Sequence, residues 1–328
     1  MSRPDRHPLP RDHWYVAAAS AELGETPLAR TIFATPVVLF RDAEGRPSAL
    51  HDRCPHRGAP LSLGRLADGA IACPYHGWRF DGEGACRHIP SLQEDREIPK
   101  GIGVAALPCH EADGFVWVWP GEGPPVPAEP PGVPGFGENT WLQGGLDLAC
   151  EAVAPIENNL DFCHPYFTHP ETHPQYFMIQ RLGFRPTRVQ LRVTATGLVV
   201  ENEAVRLVFD LPDRVIVASP QGPDRTIVIH HTPAAPGHCR QHWLVAMPGQ
   251  GAPGQARWTD DPSAIFEQDR RILEAAQTRY LAEGEGFERS VEADAPTLMV
   301  RRIIDAAAAG RWPEERGRLR DRELVVRS

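Results

Sequence analysis

Two short segments that each hold a cysteine and a histidine constrain this chain more than any other feature. Residues 54–56 read Cys-Pro-His and residues 73–76 read Cys-Pro-Tyr-His, with sixteen residues between them. A glycine follows each segment closely, at Gly58 and Gly77. Proline stiffens a loop and glycine lets it turn sharply. Two loops of this kind can close over a metal from opposite sides.

The ligand types narrow the choice of metal. Two cysteines and two histidines suit either tetrahedral zinc or the Rieske [2Fe–2S] cluster, in which two histidines replace two cysteines on one iron. Zinc fingers usually keep their cysteines together and their histidines together. Here each segment supplies one of each, so the set favours the cluster, with zinc as the alternative. The candidate ligands are Cys54, His56, Cys73 and His76.

Length and composition limit the remaining possibilities. A chain of 328 residues usually forms two domains, and 41% hydrophobic with 23% charged residues is a globular composition. The net charge of −9 argues against nucleic acid as a partner. No apolar run is long enough to cross a membrane, and the N-terminus lacks the apolar core of a signal peptide. We therefore expect a cytoplasmic protein.

Strand patterns surround the two segments. Residues 35–40 and 48–51 predict a hairpin, and the alternating residues 114–119 predict a further strand. Seven prolines between residues 120 and 137 then mark a domain junction. We predict an all-β domain at residues 1–125 and a second domain at residues 126–328.

The second domain has an α+β pattern. Two helices follow its strands, at residues 262–280, with Asp260 or Asp261 as the cap, and at residues 297–309. The six predicted strands of an antiparallel sheet are 189–193, 198–201, 205–209, 215–218, 226–231 and 242–247.

A second group of candidate ligands lies between residues 155 and 170. Asp161 and His164 share a face if this stretch is helical, because they are three residues apart. His164 and His169 are five apart, so they converge only if the helix ends near Pro165. We predict that this proline breaks the helix.

Asp269 lies in the middle of an apolar stripe on the first predicted helix. A carboxylate there must be neutralised, paired with a cation or bound to a metal, since burying it bare is costly. With His164 and His169 it would form the two-histidine, one-carboxylate triad of non-heme Fe(II) sites. The alternatives are ordinary core or surface histidines and an ion pair of Asp269 with a neighbouring arginine. The stripe comprises Ile265, Phe266, Ile272, Leu273 and Ala276.

Together these motifs resemble the Rieske non-heme iron oxygenases. The residues that carry the resemblance are the Cys/His pairs, the following Gly77-Trp78-Arg79-Phe80, and the pattern Asn-x-x-Asp-x-x-His-x4-His from Asn158 to His169. Size and spacing are similar to the shorter group that includes vanillate O-demethylase and toluenesulfonate methyl-monooxygenases.

The resemblance implies a Rieske domain followed by a helix-grip-like catalytic domain with an antiparallel sheet and a long C-terminal helix. Cys54 and Cys73 would bind one iron of the cluster, and His56 and His76 the other. Asp161 would link the two metal centres by accepting a hydrogen bond from a Rieske histidine and orienting His164, across a subunit boundary.

Further expectations follow for the mononuclear site. The resemblance makes His164, His169 and Asp269 the ligands of Fe(II), and Asn158 a residue of the iron pocket. Asn159 is a further candidate for that pocket, although either asparagine could instead cap or pair with backbone. His173, His230, His231 and His242 are candidate substrate contacts.

By this resemblance the chain would be a terminal oxygenase in a homotrimer. It would use O₂ and electrons that pass from NAD(P)H through a separate flavin and iron–sulfur reductase, with or without a ferredoxin. We expect hydroxylation or oxidative demethylation of a small aromatic or alicyclic compound. The alternatives are hydroxylation of a specialised metabolite, ring cis-dihydroxylation, and a Rieske electron carrier without enzyme activity.

Overall fold

A computed structural model describes residues 4–170, 181, 183–219, 222–247 and 263–327. The chain divides into two compact units, one formed by residues 11–132 and the other by residues 1–10 together with 133–328. The prediction from sequence had placed the first ten residues in the first domain instead. Within the described residues no helix is both long and apolar enough to span a membrane.

The first unit is built from eleven short strands in three antiparallel sheets, with the orders β1-β11-β10, β2-β3-β4-β9 and β5-β6-β7-β8. The strands are β1 (Tyr15–Ala19), β2 (Leu28–Ile32), β3 (Thr35–Arg41), β4 (Pro47–His51), β5 (Arg65–Ala67), β6 (Ala70–Ala72), β7 (Arg79–Phe80), β8 (Cys86–His88), β9 (Ala106–Leu107), β10 (Cys109–Ala112) and β11 (Phe115–Val118).

One apolar core of this unit reaches the two Cys/His segments. Cys54 and Cys73 are buried in a cluster that includes Phe40, Leu50 and Phe80. Strands β3, β4, β6 and β7 supply residues of this cluster. The unit therefore holds both cysteines on a rigid β scaffold, while the segments that follow them extend outward as loops.

The second unit contains eight strands and five helices within the described residues, and its α+β architecture is the predicted one. They are β12 (Thr140–Leu148), α1 (Val153–Leu160), α2 (Pro165–Thr168), β13 (Pro186–Val193), β14 (Gly197–Glu201), β15 (Arg206–Asp210), β16 (Arg214–Ser219), β17 (Gly222–Ala235), β18 (His238–Met247), α3 (Ser263–Glu283), α4 (Ala295–Ala308), α5 (Trp312–Arg318) and β19 (Arg322–Arg327).

All eight strands form one antiparallel sheet in the order β12-β18-β17-β16-β15-β14-β13-β19. The six predicted strands correspond to β13–β18, but β12 and β19 were not predicted. Both are edge strands. β12 contains two glycines, and the ring of Trp243 fills the space beside Gly144. β19 reads Arg-Glu-Leu-Val-Val-Arg and buries only Leu324 and Val326, so its run of apolar residues is short.

Helix α3 departs in part from the predicted apolar stripe. Its buried residues are Phe266, Asp269 and Gln277, whereas Ile272 is 54% exposed. The buried face of the helix therefore follows residues three or four positions apart and includes Asp269. The prediction was wrong for Ile272. The predicted cap, at Asp260 or Asp261, lies outside the described residues.

The N-terminal segment packs against the second unit through charge. The Arg6 guanidinium contacts the buried Glu151 carboxylate at 3.2 Å and lies 3.6 Å from the centre of the Tyr280 ring on α3. Gln277, also on α3, donates to the same carboxylate at 3.1 Å. A buried charge needs partners of this kind. These contacts explain why residues 4–10 associate with the second unit. They also hold the C-terminal half of α3 in place.

A buried polar pair joins the turn before β16 to strand β17. The ring Nδ1–H of His231 donates to the backbone carbonyl of Asp213 at 2.7 Å, and the backbone N–H of His231 donates to the Asp213 carboxylate at 2.9 Å. Burial lowers the pKa of His231 to about 4, although Asp213 acts in the opposite direction. His231 is therefore a neutral residue of the folded core.

This pair predicts a pH dependence of stability. The folded chain keeps His231 neutral down to about pH 4, whereas the unfolded imidazole binds a proton below its ordinary pKa of 6.5. Between these values the unfolded state binds more protons, so the free energy of unfolding falls as the pH falls, by up to about 3 kcal/mol. Urea titrations across this range should show the loss in the wild type and its reduction in His231→Gln.

The exposed His51 supplies a matched control. His51→Gln should retain the pH dependence of the wild type. If His231→Gln shows the same dependence as the wild type, His231 does not cause it.

Candidate metal centres

The two Cys/His segments form loops with the same backbone hydrogen bonds. In each, the cysteine N–H donates to the carbonyl five residues ahead, and the glycine four residues ahead donates back to the cysteine carbonyl. These distances are 2.8 and 2.9 Å in loop 54–59, and 2.8 and 3.1 Å in loop 73–78. Gly58 and Gly77 have φ of +77° and +71°, which glycine adopts without strain. The two loops therefore have the same backbone geometry and hold their Cys/His pairs in a similar way.

The four candidate cluster ligands lie close to one another, two on each of these loops. Cys54 and Cys73 are buried, His56 is half-buried and His76 is exposed. The two imidazole rings have their centres 4.5 Å apart, and Trp78 stacks on His56 at 4.4 Å. The structure thus brings together all four predicted residues, with the thiols inside and the imidazoles towards the surface.

The donor atoms suit an iron–sulfur cluster. Burial, together with the neighbouring Cys73 thiol, raises the pKa of Cys54 to about 11, so a bound metal would be needed to hold this thiol deprotonated at neutral pH. Nδ1 of His56 is buried and has no hydrogen-bond partner among the described residues. A metal would give partners to both groups.

His164 and His169, the two histidines of the second candidate group, flank a helix of a single turn. Helix α1 ends at Leu160, Asp161 is extended with φ −85° and ψ 115°, and α2 follows after three more residues. His164 precedes the first residue of α2 and His169 follows its last. The predicted break at Pro165 was wrong, because this proline begins α2. Proline suits a first helical position, where its missing N–H is not needed.

Helix α3 completes the group with Asp269. Its Oδ1 lies 3.3 Å from Nε2 of His169 and 3.7 Å from Nε2 of His164. The three candidate ligand atoms all lie within 4.8 Å of one another. Asp269 is buried, and its Oδ1 has no hydrogen-bond partner among the described residues. A cation between the three side chains would neutralise this carboxylate.

Hydrogen bonds fix which ring nitrogens face the centre of the group. Nδ1–H of His164 donates to the backbone carbonyl of Asp161 at 2.8 Å, and Nδ1–H of His169 donates to Oε1 of Gln268 at 2.8 Å. A carbonyl oxygen can only accept, so both Nε2 atoms carry lone pairs in the neutral rings. Hydrogen-bond partners of this kind, on the ring nitrogen that does not bind the metal, are the outer partners that orient histidine ligands in metal sites. Gln268 was not predicted, and its position beside Asp269 was the one sequence signal for it.

Burial and charge act differently on the two imidazoles. Burial lowers the pKa of His164 despite the nearby Asp269 carboxylate. For His169 burial acts in the same direction, but Asp269 outweighs it and the pKa is raised. The carboxylate therefore interacts more strongly with His169 in the absence of a cation.

Asp161 and Asn158 contact the same histidine. Asp161 orients His164 through its backbone carbonyl, while Oδ1 of its carboxylate accepts the N–H of Cys163 at 2.7 Å. The shared helical face predicted for Asp161 and His164 is absent, because α1 ends before Asp161. Asn158 Nδ2 lies 3.3 Å from Nε2 of His164.

A cavity of about 270 Å³ adjoins the three candidate ligands. Sheet strands and α3 give it apolar walls, and Asn159 and Asp161 add polar groups. The predicted substrate contacts His230, His231 and His242 are buried and do not line it, while His173 lies outside the described residues. Apolar residues of the wall include Leu207, Val217, Ile227, Ile229, Ile265 and Phe266.

Two family models match the chain, each within one unit. Residues 13–110 match the Rieske [2Fe–2S] domain, and residues 205–310 match the vanillate O-demethylase oxygenase C-terminal domain. The first match includes all four candidate cluster ligands, which decides for the Rieske cluster over zinc.

Curated relatives match about half of the chain. The oxygenase component of dicamba O-demethylase from Stenotrophomonas maltophilia is 41% identical over 164 residues, which are 48% of this chain and 47% of that protein. Chlorophyllide a oxygenase from Chlamydomonas reinhardtii is 46% identical over 168 residues, which are 49% of this chain and 25% of that protein. The chain thus spans half or less of the length of these relatives.

Solved structures extend the likeness to nearly the whole chain. Dicamba monooxygenase bound to dicamba is similar with a TM-score of 0.68 and 25% identity, over 94% of this chain and 98% of that one. NdmA of Pseudomonas putida CBB5 shares the fold, with a TM-score of 0.76 and 20% identity over 96% of both chains. The chain therefore matches a Rieske domain followed by a vanillate O-demethylase-type oxygenase C-terminal domain, and it is similar over nearly its whole length to the structure of dicamba monooxygenase.

Proposed function

We propose that this chain is the terminal oxygenase component of a Rieske oxygenase system. It uses O₂ and electrons from a separate reductase to monooxygenate a small aromatic or alicyclic compound, by hydroxylation or oxidative demethylation. The observation that carries this proposal is the convergence of two imidazoles and one carboxylate, within 4.8 Å, beside a mainly apolar cavity. The names of relatives, which include two O-demethylase oxygenase components and a toluene-4-sulfonate monooxygenase subunit, support it.

The cluster would bind to the loops of the first unit. Cys54 and Cys73 would hold one iron through their thiolates, and His56 and His76 the other through their imidazoles. When bound, the cluster supplies electrons singly and the mononuclear Fe(II) supplies O₂ activation. The exposure of His76 gives the electrons a route to the surface of the unit.

The mononuclear iron would bind to Nε2 of His164, Nε2 of His169 and Oδ1 of Asp269. The protein's contribution here is orientation. Asp161 and Gln268 anchor the two Nδ1–H groups, so neither ring needs to turn before binding the metal. Three protein ligands would leave coordination positions of the iron for O₂ or water, and the cavity adjoins the same three side chains.

The cavity walls position the substrate and exclude water. Leu207, Val217 and Ile229 come from neighbouring strands, and Phe266 comes from the helix that carries Asp269. Apolar walls of this kind hold a ring by burial of its surface and give orientation to a few polar groups. The cavity, at about 270 Å³, lies just below the range of about 300–1,000 Å³ that is usual for ligand pockets.

Asp161 would connect the two kinds of site in a homotrimer, accepting a hydrogen bond from His76 of a neighbouring chain. Its backbone carbonyl already holds His164. Its carboxylate uses one oxygen for Cys163, and within the described residues no group donates to the other. Asn158 would belong to the iron pocket, where its amide lies against His164.

Alternative activities use the same scaffold. Hydroxylation of a specialised metabolite and ring cis-dihydroxylation would need the same two metal sites, so the substrate decides between them. An electron carrier without enzyme activity would need the first unit alone and would leave the His164, His169 and Asp269 group without a role. The reductase, the trimer and a cytoplasmic location remain parts of the proposal.

A substrate screen tests the proposed reaction. The purified chain, a surrogate reductase, NADH and O₂ should convert some small aromatic or alicyclic compounds. We expect oxygen uptake coupled to a product that has gained one oxygen atom or lost one CH₂. Products that gain two oxygen atoms and two hydrogens would instead assign cis-dihydroxylation. Uptake without any modified product would contradict the proposal.

Substitution of the iron ligands tests the mononuclear site. His164→Ala and Asp269→Ala should each lower turnover by more than about a hundredfold, because loss of a ligand is more severe than loss of an outer partner. The reduced cluster should keep its electron paramagnetic resonance signal, and metal analysis should show loss of the mononuclear iron. Glu267→Gln is the matched control, since Glu267 is a half-buried carboxylate on the same helix that pairs with Arg270, and it should retain the iron. Full iron and turnover in Asp269→Ala would exclude Asp269 as a ligand.

Asp161→Asn tests the connection between the metal centres. The variant keeps the backbone carbonyl that orients His164, so we expect both metals to remain bound. Reoxidation of the cluster by O₂ in the presence of substrate should slow by about ten- to a hundredfold, the usual range for outer partners. Asp147→Asn, which changes an exposed aspartate, should reoxidise at the rate of the wild type. Unchanged coupled turnover in Asp161→Asn would remove Asp161 from the electron route.

A further inference from the structure

A polar relay of three residues enters the wall of the cavity. It runs from the backbone carbonyl of Asp213, through the His231 ring, to the side chain of Asn159 on α1. Asn159 lines the cavity together with the three candidate iron ligands, whereas His231 lies behind it and is fully buried. The relay therefore ends at a position where a substrate could contact it.

The relay determines the orientation of the Asn159 amide. Nδ1 of His231 faces the Asp213 carbonyl at 2.7 Å, and a carbonyl can only accept, so Nδ1 carries the proton. In the neutral ring Nε2 must then accept. The Asn159 atom that lies 3.0 Å from Nε2 is consequently the amide nitrogen, as the donor. Gln241 Nε2 approaches the same ring nitrogen at 3.4 Å.

The neutral state of His231 maintains this orientation. A doubly protonated ring would donate from Nε2 and would attract the amide oxygen of Asn159 instead. Burial lowers the pKa of His231 to about 4, so the ring stays neutral at physiological pH. The Asp213 carboxylate accepts the backbone N–H of His231 at 2.9 Å, which fixes the position of this residue in the sheet.

With its nitrogen turned to His231, Asn159 has its Oδ1 available. Within the described part of the chain no group donates a hydrogen bond to this oxygen. Besides the candidate iron ligand Asp269, the described lining contains the carboxylate of Asp161 and neither lysine nor arginine. Both observations favour a ligand that brings a hydrogen-bond donor over one that brings an anion.

We propose that Oδ1 of Asn159 accepts a hydrogen bond from a hydroxyl or N–H group of an uncharged ring substrate. This donor would orient the ring in the apolar cavity beside His164, His169 and Asp269. Asn159 is thus a specificity-determining residue, and His231 is the positioning residue behind it. The inference deepens the proposed function and rests on it for the identity of the site.

Equilibrium binding of three matched probes tests the proposal. p-Cresol, toluene and p-toluate share a methyl-substituted ring and carry a donor, no polar group and an anion, respectively. Isothermal titration calorimetry on the metal-loaded chain should show p-cresol binding about five- to tenfold more tightly than toluene, as one net hydrogen bond would give. p-Toluate should bind more weakly than p-cresol.

Variants then assign the effect to the relay. Asn159→Leu should bring p-cresol to the affinity of toluene while toluene itself binds as before, which shows that the cavity is intact. Gln241 still faces Nε2 of His231 in this variant, so the core keeps a donor there. His231→Gln should lower the preference for p-cresol through loss of orientation. Asn139→Leu, the same substitution in a turn of the same unit, should keep the preference of the wild type.

Equal affinity of the wild type for p-cresol and toluene, or no measurable binding of p-cresol, would overturn the proposal even if no variant folds. A preference for p-cresol that survives in Asn159→Leu would also overturn it. Probe binding requires no turnover. A chain that shows the preference but fails to oxygenate any compound would therefore contradict the proposed function and leave the role of Asn159 standing.

Discussion

The second unit depends on one electrostatic constraint, the buried carboxylate of Asp269 facing two oriented imidazoles. The carboxylate must have a partner in the core, and Oδ1 lies 3.3 and 3.7 Å from the Nε2 atoms of His169 and His164. Gln268, the preceding residue on α3, holds His169 from its other side. One turn of one helix therefore supplies both a ligand and an orienting partner, so the position of α3 decides whether the site exists.

The surrounding structure fixes that position. At the far end of α3, Gln277 donates to the buried Glu151, which also pairs with Arg6 of the N-terminal segment. Near the site, Phe266 packs against Trp243 of the sheet with ring centres 4.4 Å apart. Both ends of the helix are thus tied to the same unit. A site that must receive a metal without rearrangement needs supports of this kind.

Local patterns predicted much of this protein, and contacts between distant residues account for what was missed. The Cys54, His56, Cys73 and His76 spacing lies within two short loops, so the sequence is enough to read it. Asp269 was detectable because a carboxylate interrupts an apolar stripe. The helix break was misplaced to Pro165, since proline both ends helices and begins them. The Asn159–His231 contact joins residues 72 apart in the chain, and only the folded sheet brings them together.

Mössbauer spectroscopy of protein enriched in ⁵⁷Fe tests the central claim most directly, because it resolves irons by their ligands and spin states. The account predicts two distinct spectra within one chain, from a Rieske cluster with inequivalent iron sites and from a high-spin ferrous iron. The ferrous component should be absent from Asp269→Ala while the cluster remains. A wild-type chain whose spectrum lacks either the cluster component or the ferrous component would contradict it.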